Sequence, residues 1–82
     1  MGRMAGFPLS LLKVGRMGRV RALSGEGALK RRLLDMGFVP GTTVRMLKKA
    51  PFGDPVQVRL RGYSLTLRTR DAKDIWIEEV DG

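Results

Sequence analysis

The amino-acid sequence predicts a mainly β fold, a small barrel of about five strands with one short α-helix. Two observations lead to this expectation: five segments alternate apolar and polar residues, and one ten-residue segment has apolar residues at helical spacing. In a chain of 82 residues, five half-buried strands in a flat sheet would leave an apolar face uncovered. Closing the strands into a barrel buries that face, so we expect residues 1–82 to form one domain.

The predicted strands show period-two alternation, which places one apolar face on each strand. They are Arg19–Leu23, Val44–Met46, Val56–Leu60, Leu65–Arg68 and Ile75–Glu78. Arg61 and Gly62 separate the third and fourth strands and suit a tight turn, in which Gly62 supplies a positive φ. Residues 50–55 contain two prolines and a glycine, so they predict an irregular loop.

The predicted helix covers residues 27–36 and presents one apolar stripe. The stripe consists of Leu29, Leu33 and Met36. Gly37 follows at the position where a left-handed residue ends a helix, which places Phe38 against Leu33.

A turn follows the predicted helix. Val39–Thr42 has Pro40 at its second position and Gly41 at its third, the arrangement typical of a type II turn. The segment therefore predicts a helix end and an entry into a strand, with no catalytic group.

Composition excludes several classes of function. The chain has no cysteine and no histidine, which excludes disulfides, thiolate or imidazole metal sites and histidine acid-base catalysis. The Ser and Thr residues have no histidine base, and neither "SGEG" at residues 24–27 nor "PFGDP" at residues 51–55 is a phosphate-binding loop. We expect a soluble protein that is not an enzyme and binds no cofactor.

The net charge of +8 is unevenly distributed along the chain. Residues 1–70 contain 15 of the 16 Lys and Arg residues and three of the eight acids, a net charge of +12. Residues 71–82 contain one lysine and five acids, a net charge of −4. Such a charge distribution favours an acidic partner: a nucleic acid, anionic lipid headgroups or an acidic protein.

Leu34 does not belong to the apolar stripe of the predicted helix. At about 100° per residue it projects between Lys30 and Arg31, on the polar face. It is either an isolated surface leucine, a residue covered by the segment Phe7–Leu12, or a partner contact. Of the candidate partner contacts we rank Leu34, with Lys30 and Arg31, first.

Two aromatic residues are further candidate contacts. Phe52 lies at the tip of the loop 50–55. Trp76 should face outward from the last strand, because Ile75 and Ile77 occupy the inner face. Such an indole either anchors a partner or covers the end of the barrel.

Three sequence segments, in their order and spacing, resemble the FeoA family of ferrous iron transport proteins. They are "LLDMGFVPG" at residues 33–41, "APFGDP" at 50–55 and "RGYSLTLR" at 61–68. The resemblance implies an SH3-like barrel with a core at about residues 9–79. The structural positions of the motifs are Met36, Gly37, Pro40, Gly41, Pro51, Gly53, Asp54, Pro55 and Gly62.

The resemblance also implies a function. FeoA-like proteins are small cytosolic accessory subunits that contact the FeoB ferrous iron permease and its GTP-binding region, so we expect a location at the inner face of the membrane without insertion. The related alternative is a regulatory module like the C-terminal domain of iron-dependent repressors. Transition-metal binding is associated with the family, but this chain offers only scattered carboxylates, of which Asp71 and Asp74 are three residues apart, and we assign no metal site.

Nucleic-acid binding is the main alternative. Its basis is a set of outward strand and turn residues: Arg19, Arg21, Arg45, Arg59, Arg61 and Arg68. Sequence-tolerant binders add aromatic stacking platforms, and this outward face has at most Tyr63 and Trp76. The lack of an aromatic groove argues against a proline-rich peptide ligand. An exposed strand edge leaves homo-oligomers as a further expectation.

Overall fold

The alternating segments form strands of one antiparallel sheet in the computed structural model, which describes residues 6–81. The strands are β1 (Phe7–Pro8), β2 (Met17–Leu23), β3 (Thr43–Lys49), β4 (Val56–Leu60), β5 (Tyr63–Leu67) and β6 (Ile75–Val80). They are connected by helices α1 (Gly27–Asp35) and α2 (Thr69–Ala72) and by a 3₁₀ turn at Leu9–Leu11. The strand order is β1-β6-β2-β3-β4-β5, so β1 and β5 are the edge strands.

The mainly β architecture with one short central helix is confirmed, and three small elements were not predicted: β1, α2 and the 3₁₀ turn. β1 has only two residues, too few for a period-two pattern, and one of them is Pro8. It pairs with β6 through Phe7 opposite Ile77. α2 has four residues and no apolar stripe in its sequence, so periodicity does not reveal it.

The inward side chains of β2 to β6 converge on one apolar core, which shows that the sheet curves around it. The strands contribute Val20, Val44, Met46, Val56, Val58, Leu60, Leu67, Ile75 and Ile77. The connecting segments contribute Leu9, Leu12, Leu33, Phe38 and Ala72. Because Leu9 and Leu12 are fully buried, the segment before β2 is part of the core. It packs on β6 and α2, and β1 extends the sheet beside β6.

The end of α1 has the predicted Schellman geometry. Gly37 has a φ of +111°. The Phe38 N–H donates to the Leu33 carbonyl at 3.1 Å, and the Gly37 N–H donates to the Leu34 carbonyl at 3.0 Å. Leu33 and Phe38 are both fully buried, as their predicted contact requires.

The following turn is also as predicted. The Thr42 N–H donates to the Val39 carbonyl at 3.0 Å, and Gly41 has a φ of +97°. The Gly41 N–H then donates to the Val20 carbonyl at 2.8 Å, which attaches the turn to β2.

The β4–β5 hairpin has a two-residue turn in which both central residues have positive φ, +54° at Arg61 and +86° at Gly62. Two positive φ values define a type I′ turn, whose twist matches that of the strands. The hydroxyl of Tyr63, the first residue of β5, donates to the Met36 carbonyl. This hydrogen bond attaches the hairpin to the end of α1.

Candidate functional site

The outer face of α1 contains three of the five predicted contact residues. Lys30 and Arg31 are exposed, whereas Leu34 is half-buried and not fully exposed. Helical side chains lean toward the N-terminus, so Leu34 lies over the preceding turn, where Lys30 and Arg31 are its neighbours. Their aliphatic stems lie at the right spacing to cover part of the leucine. Leu34 does not belong to the partly buried residues that pack on the core, which are Phe7, Leu23, Leu29, Met36 and Leu65.

Two contacts hold α1 in place from its other sides. The Schellman bonds and the Tyr63 hydroxyl fix its C-terminal end. Arg32 donates to Asp71 of α2 at 3.2 Å, and the Asp71 side chain is only 12% exposed. A nearly buried carboxylate requires such a partner. The face formed by Lys30, Arg31 and Leu34, hereafter the α1 face, is therefore presented by a rigidly attached helix.

The loop 50–55 presents Phe52, which is 98% exposed. The loop is closed by the Ala50 N–H, which donates to the Pro55 carbonyl at 3.0 Å, and by the Gly53 N–H, which donates to the Ala50 carbonyl at 2.7 Å. Pro51 is exposed beside Phe52. The predicted irregular loop is thus an ordered turn that displays an aromatic ring at its tip.

The same loop is joined to α2 by a set of contacts that we call the loop–α2 latch. The Thr69 N–H donates to the Asp54 carboxylate at 2.8 Å, and the Thr69 hydroxyl donates to the Gly53 carbonyl at 2.5 Å. Arg68 forms an ion pair with Asp54 at 3.7 Å. The Thr69 backbone hydrogen bond is the main cause that lowers the pKa of Asp54 below its ordinary value of 3.8, with smaller contributions from the Thr69 hydroxyl, Arg68 and Arg70.

The lowered pKa of Asp54 predicts a pH-dependent contribution of the loop–α2 latch to stability. A carboxyl group whose folded pKa lies below its unfolded pKa stabilises the fold above the unfolded value, and that contribution is lost as pH falls through the folded pKa. We expect Asp54→Ala to lower the midpoint of thermal unfolding at pH 6. The difference from the wild type should shrink steadily below pH 4, near the ordinary value of 3.8. A difference that is constant from pH 6 to pH 2 would show that the charge of Asp54 has no role.

Trp76 lies on the outer face of β6, as predicted, but it is half-buried. β6 lies between β1 and β2 in the sheet, so Trp76 is paired with Pro8 of β1 on one side and with Ala22 of β2 on the other. The small Ala22 and the ring of Pro8 leave the indole partly accessible. The five predicted contact residues therefore lie on three separate elements, and only those of α1 share one.

The arginine exterior is partly neutralised. Arg21 pairs with Glu78 at 3.1 Å, Arg16 pairs with Glu79, and Arg68 pairs with Asp54. Arg45 and Arg59 are directly opposite on β3 and β4, and neither has an acidic partner among residues 6–81. Like charges in directly opposed positions are unfavourable, and the Arg45 guanidinium donates to the Gly15 carbonyl at 2.8 Å.

The two carboxylates considered as metal ligands have protein partners instead. Asp71 pairs with Arg32, and Asp74 accepts a hydrogen bond from the Ser24 hydroxyl at 2.9 Å. Within residues 6–81, no three acidic side chains are grouped as a metal site would require. In the same part of the chain, α1 and α2 both fall short of the length and apolarity that a bilayer-spanning helix needs.

Sequence reasoning did not identify the exposed apolar residues before β2. Leu11 is 64% exposed and Val14 is 54% exposed, although both lie in a segment whose other leucines are buried. Leu11 lines a surface cavity of about 580 Å³ with Phe7, Lys13, Arg16 and Glu79. The 3₁₀ turn determines which of the adjacent leucines face outward, and no short period in the sequence indicates it.

Comparison with known proteins identifies the family. The model of the FeoA domain matches residues 7–79. A fusion of Fe(2+) transport protein A with the Fe(2+) transporter FeoB from Porphyromonas gingivalis is 39% identical over 70 residues, 85% of this chain. The chain spans only 8% of the length of that fusion protein.

Two solved structures share the fold along almost the whole chain. The FeoA-like protein of Clostridium acetobutylicum has a TM-score of 0.88 at 39% identity, covering 98% of this chain and 93% of the other. FeoA of Stenotrophomonas maltophilia complexed with zinc, described as a prokaryotic SH3 domain protein, has a TM-score of 0.79 at 31% identity, covering 89% of this chain and 91% of the other. The small curved sheet, its single central helix and these matches agree: the chain belongs to the FeoA domain family.

Proposed function

We propose that this chain is an accessory component of a ferrous iron transport system that acts by binding a FeoB-type permease at its GTP-binding region. The observation that carries the proposal is the Porphyromonas gingivalis fusion protein, in which a segment 39% identical to this chain is part of one polypeptide with an FeoB transporter. Covalent linkage keeps two modules at a high effective concentration, which is useful where they act on each other. A separate chain must obtain the same proximity from a binding surface.

The α1 face is the surface we assign to that contact. Protein interfaces combine an apolar centre with a polar rim, and Leu34 lies between the exposed cations Lys30 and Arg31. The helix is fixed at its C-terminal end and through Arg32, so binding would order little additional chain. The two cations favour an acidic surface on the permease. Trp76 and Phe52 are secondary candidates for this contact.

Leu34→Glu tests this assignment. The substitution places a carboxylate at the centre of the α1 face, so we expect at least a tenfold loss of affinity for the cognate FeoB, equivalent to about 1.4 kcal/mol. The measurement is the amount of FeoB recovered with the tagged protein, followed by titration with its soluble GTP-binding region. Leu11→Glu is the matched control, because Leu11 is also a surface leucine but lies on another segment. Leu11 is 64% exposed.

The outcomes separate the function from the surface. A folded Leu34→Glu protein that recovers FeoB as well as the wild type does would show that the α1 face is not the contact. A wild-type protein that recovers no FeoB would contradict the proposed function itself.

Nucleic-acid binding is a second candidate, favoured by Arg45 and Arg59 on adjacent strands, neither of which has an acidic partner within residues 6–81. It ranks lower because the strand face that carries these arginines offers few rings to stack on bases: the Tyr63 hydroxyl donates to the Met36 carbonyl, and Trp76 is half-buried in the sheet. The regulatory module and the homo-oligomer paired at a strand edge stay predictions of the sequence.

A further inference from the structure

The most exposed apolar side chain among residues 6–81 belongs to the loop 50–55. Phe52 is 98% exposed, compared with 64% for Leu11 and 54% for Val14. Leaving a phenylalanine ring in water forgoes the free energy that its burial would contribute. The loop that carries it is ordered, because two backbone hydrogen bonds close the loop and the loop–α2 latch attaches it to α2. The ring is therefore held outward by the fold.

Exposed cations flank the loop that carries this ring. Lys48 is exposed at the end of β3 and lines a groove of about 390 Å³ together with Pro51 and Pro55. The Arg68 side chain is 67% exposed and lies 3.7 Å from Asp54. Arg70 is exposed and directly follows Thr69, which binds Asp54 and Gly53 of the loop. We call Lys48, Phe52, Arg68 and Arg70 the Phe52 face.

Little negative charge opposes these cations. Asp54 accepts from Thr69 and is paired with Arg68, and Asp71 of α2 is nearly buried against Arg32. The face thus combines one projecting aromatic ring with a net positive charge, since Lys48 and Arg70 have no ion-pair partner within residues 6–81. Its apolar part consists of the Phe52 ring with the exposed Pro51 and Pro55 of the same loop. This combination suits a lipid surface, because a projecting aromatic ring partitions at headgroup depth and nearby cations bind anionic headgroups.

We propose that the Phe52 face docks the protein on an anionic lipid bilayer, with the Phe52 ring inserted at headgroup depth and the exposed cations on the lipid phosphates. The proposal does not depend on the contact with a permease. It assigns to the protein its own weak affinity for a membrane surface. Only the Phe52 side chain would enter the bilayer. Within residues 6–81, no helix is long and apolar enough to span one.

Co-sedimentation with vesicles tests the proposal, because the assay contains no permease. The wild-type chain should bind vesicles of equal parts phosphatidylglycerol and phosphatidylcholine, and should not bind phosphatidylcholine alone. Raising the salt from low to physiological concentration should weaken binding. Phe52→Ser should weaken the partition coefficient about tenfold, because it removes the inserted ring. Arg70→Gln should weaken it about fivefold.

Arg61→Asn is the matched control for charge. Arg61 lies in the turn at the far end of β4, about 17 Å from the end that adjoins the loop 50–55. That distance exceeds the Debye length of about 8 Å at physiological salt, so its loss should change binding by less than about twofold. In the Phe52→Trp variant, the fluorescence of the added indole should shift to the blue on anionic vesicles. This shift should be larger than the change that Trp76 shows in the wild type.

Three results would overturn the proposal. The first is a wild-type chain that binds no anionic vesicle, and the second is Phe52→Ser binding as tightly as the wild type. The third is an equal loss from Arg61→Asn and Arg70→Gln, which would show attraction by diffuse charge. Phe52→Ser should leave the thermal midpoint unchanged because the side chain is 98% exposed, so unfolding will not imitate a loss of binding.

Discussion

Gly37→Val is expected to destabilise the domain by about 3 kcal/mol. Two costs add at this position. Gly37 has a φ of +111°, which a β-branched residue resists. A Cβ there would also lie 3.1 Å from the Tyr63 hydroxyl and 3.2 Å from the Leu60 Cδ1, inside the contact between α1 and the β4–β5 hairpin. For a domain of this size the thermal midpoint should fall by about 12 to 24 °C.

Gly41→Val is the matched control for the strain alone. Gly41 has a similar φ of +97°, but a Cβ there would meet no atom within 4 Å. The control should therefore lose only the conformational term of about 1 to 2 kcal/mol. Equal losses at the two glycines, measured by denaturant unfolding, would show that the space beside Gly37 is unimportant.

Leu33→Ala is expected to cost about 3 kcal/mol, whereas Leu34→Ala should cost less than about 1 kcal/mol. The two leucines are adjacent on α1 and lose the same atoms with the same change of helix propensity. Leu33 is fully buried in the core, so its truncation leaves a cavity there. Leu34 is half-buried and lies outside the core-packing set.

The measurement is the free energy of unfolding from urea titration at constant m-value. If Leu34→Ala is as destabilising as Leu33→Ala, then Leu34 is a core residue. In that case a loss of FeoB binding by Leu34→Glu would reflect damage to the fold, and the α1 face would lose its support as a contact surface.

Much of the fold is predictable from the sequence because its signals are local. Alternation placed Val56, Val58 and Leu60 on the inner face of β4, and all three are buried. The bounds of α1 and its end at Gly37 follow from an apolar stripe and from one residue type that tolerates positive φ. The candidate contact residues were also found from pattern, but their exposure was predicted less well: Leu34 and Trp76 are half-buried, and only Phe52 is almost fully exposed.

The sequence by itself determined which residues face inward on each strand, where the helix ends and where the turns lie. Each of these features depends on residues that are close together in the chain. Only the tertiary structure decided that Arg32 pairs with Asp71, that Asp54 accepts from Thr69 and that Tyr63 holds the end of α1. These contacts join residues 39, 15 and 27 positions apart, respectively. The curvature of the sheet brings these distant segments together. A local hydrophobic pattern in the sequence therefore cannot predict such contacts. The same contacts hold the α1 face and the Phe52 face in position.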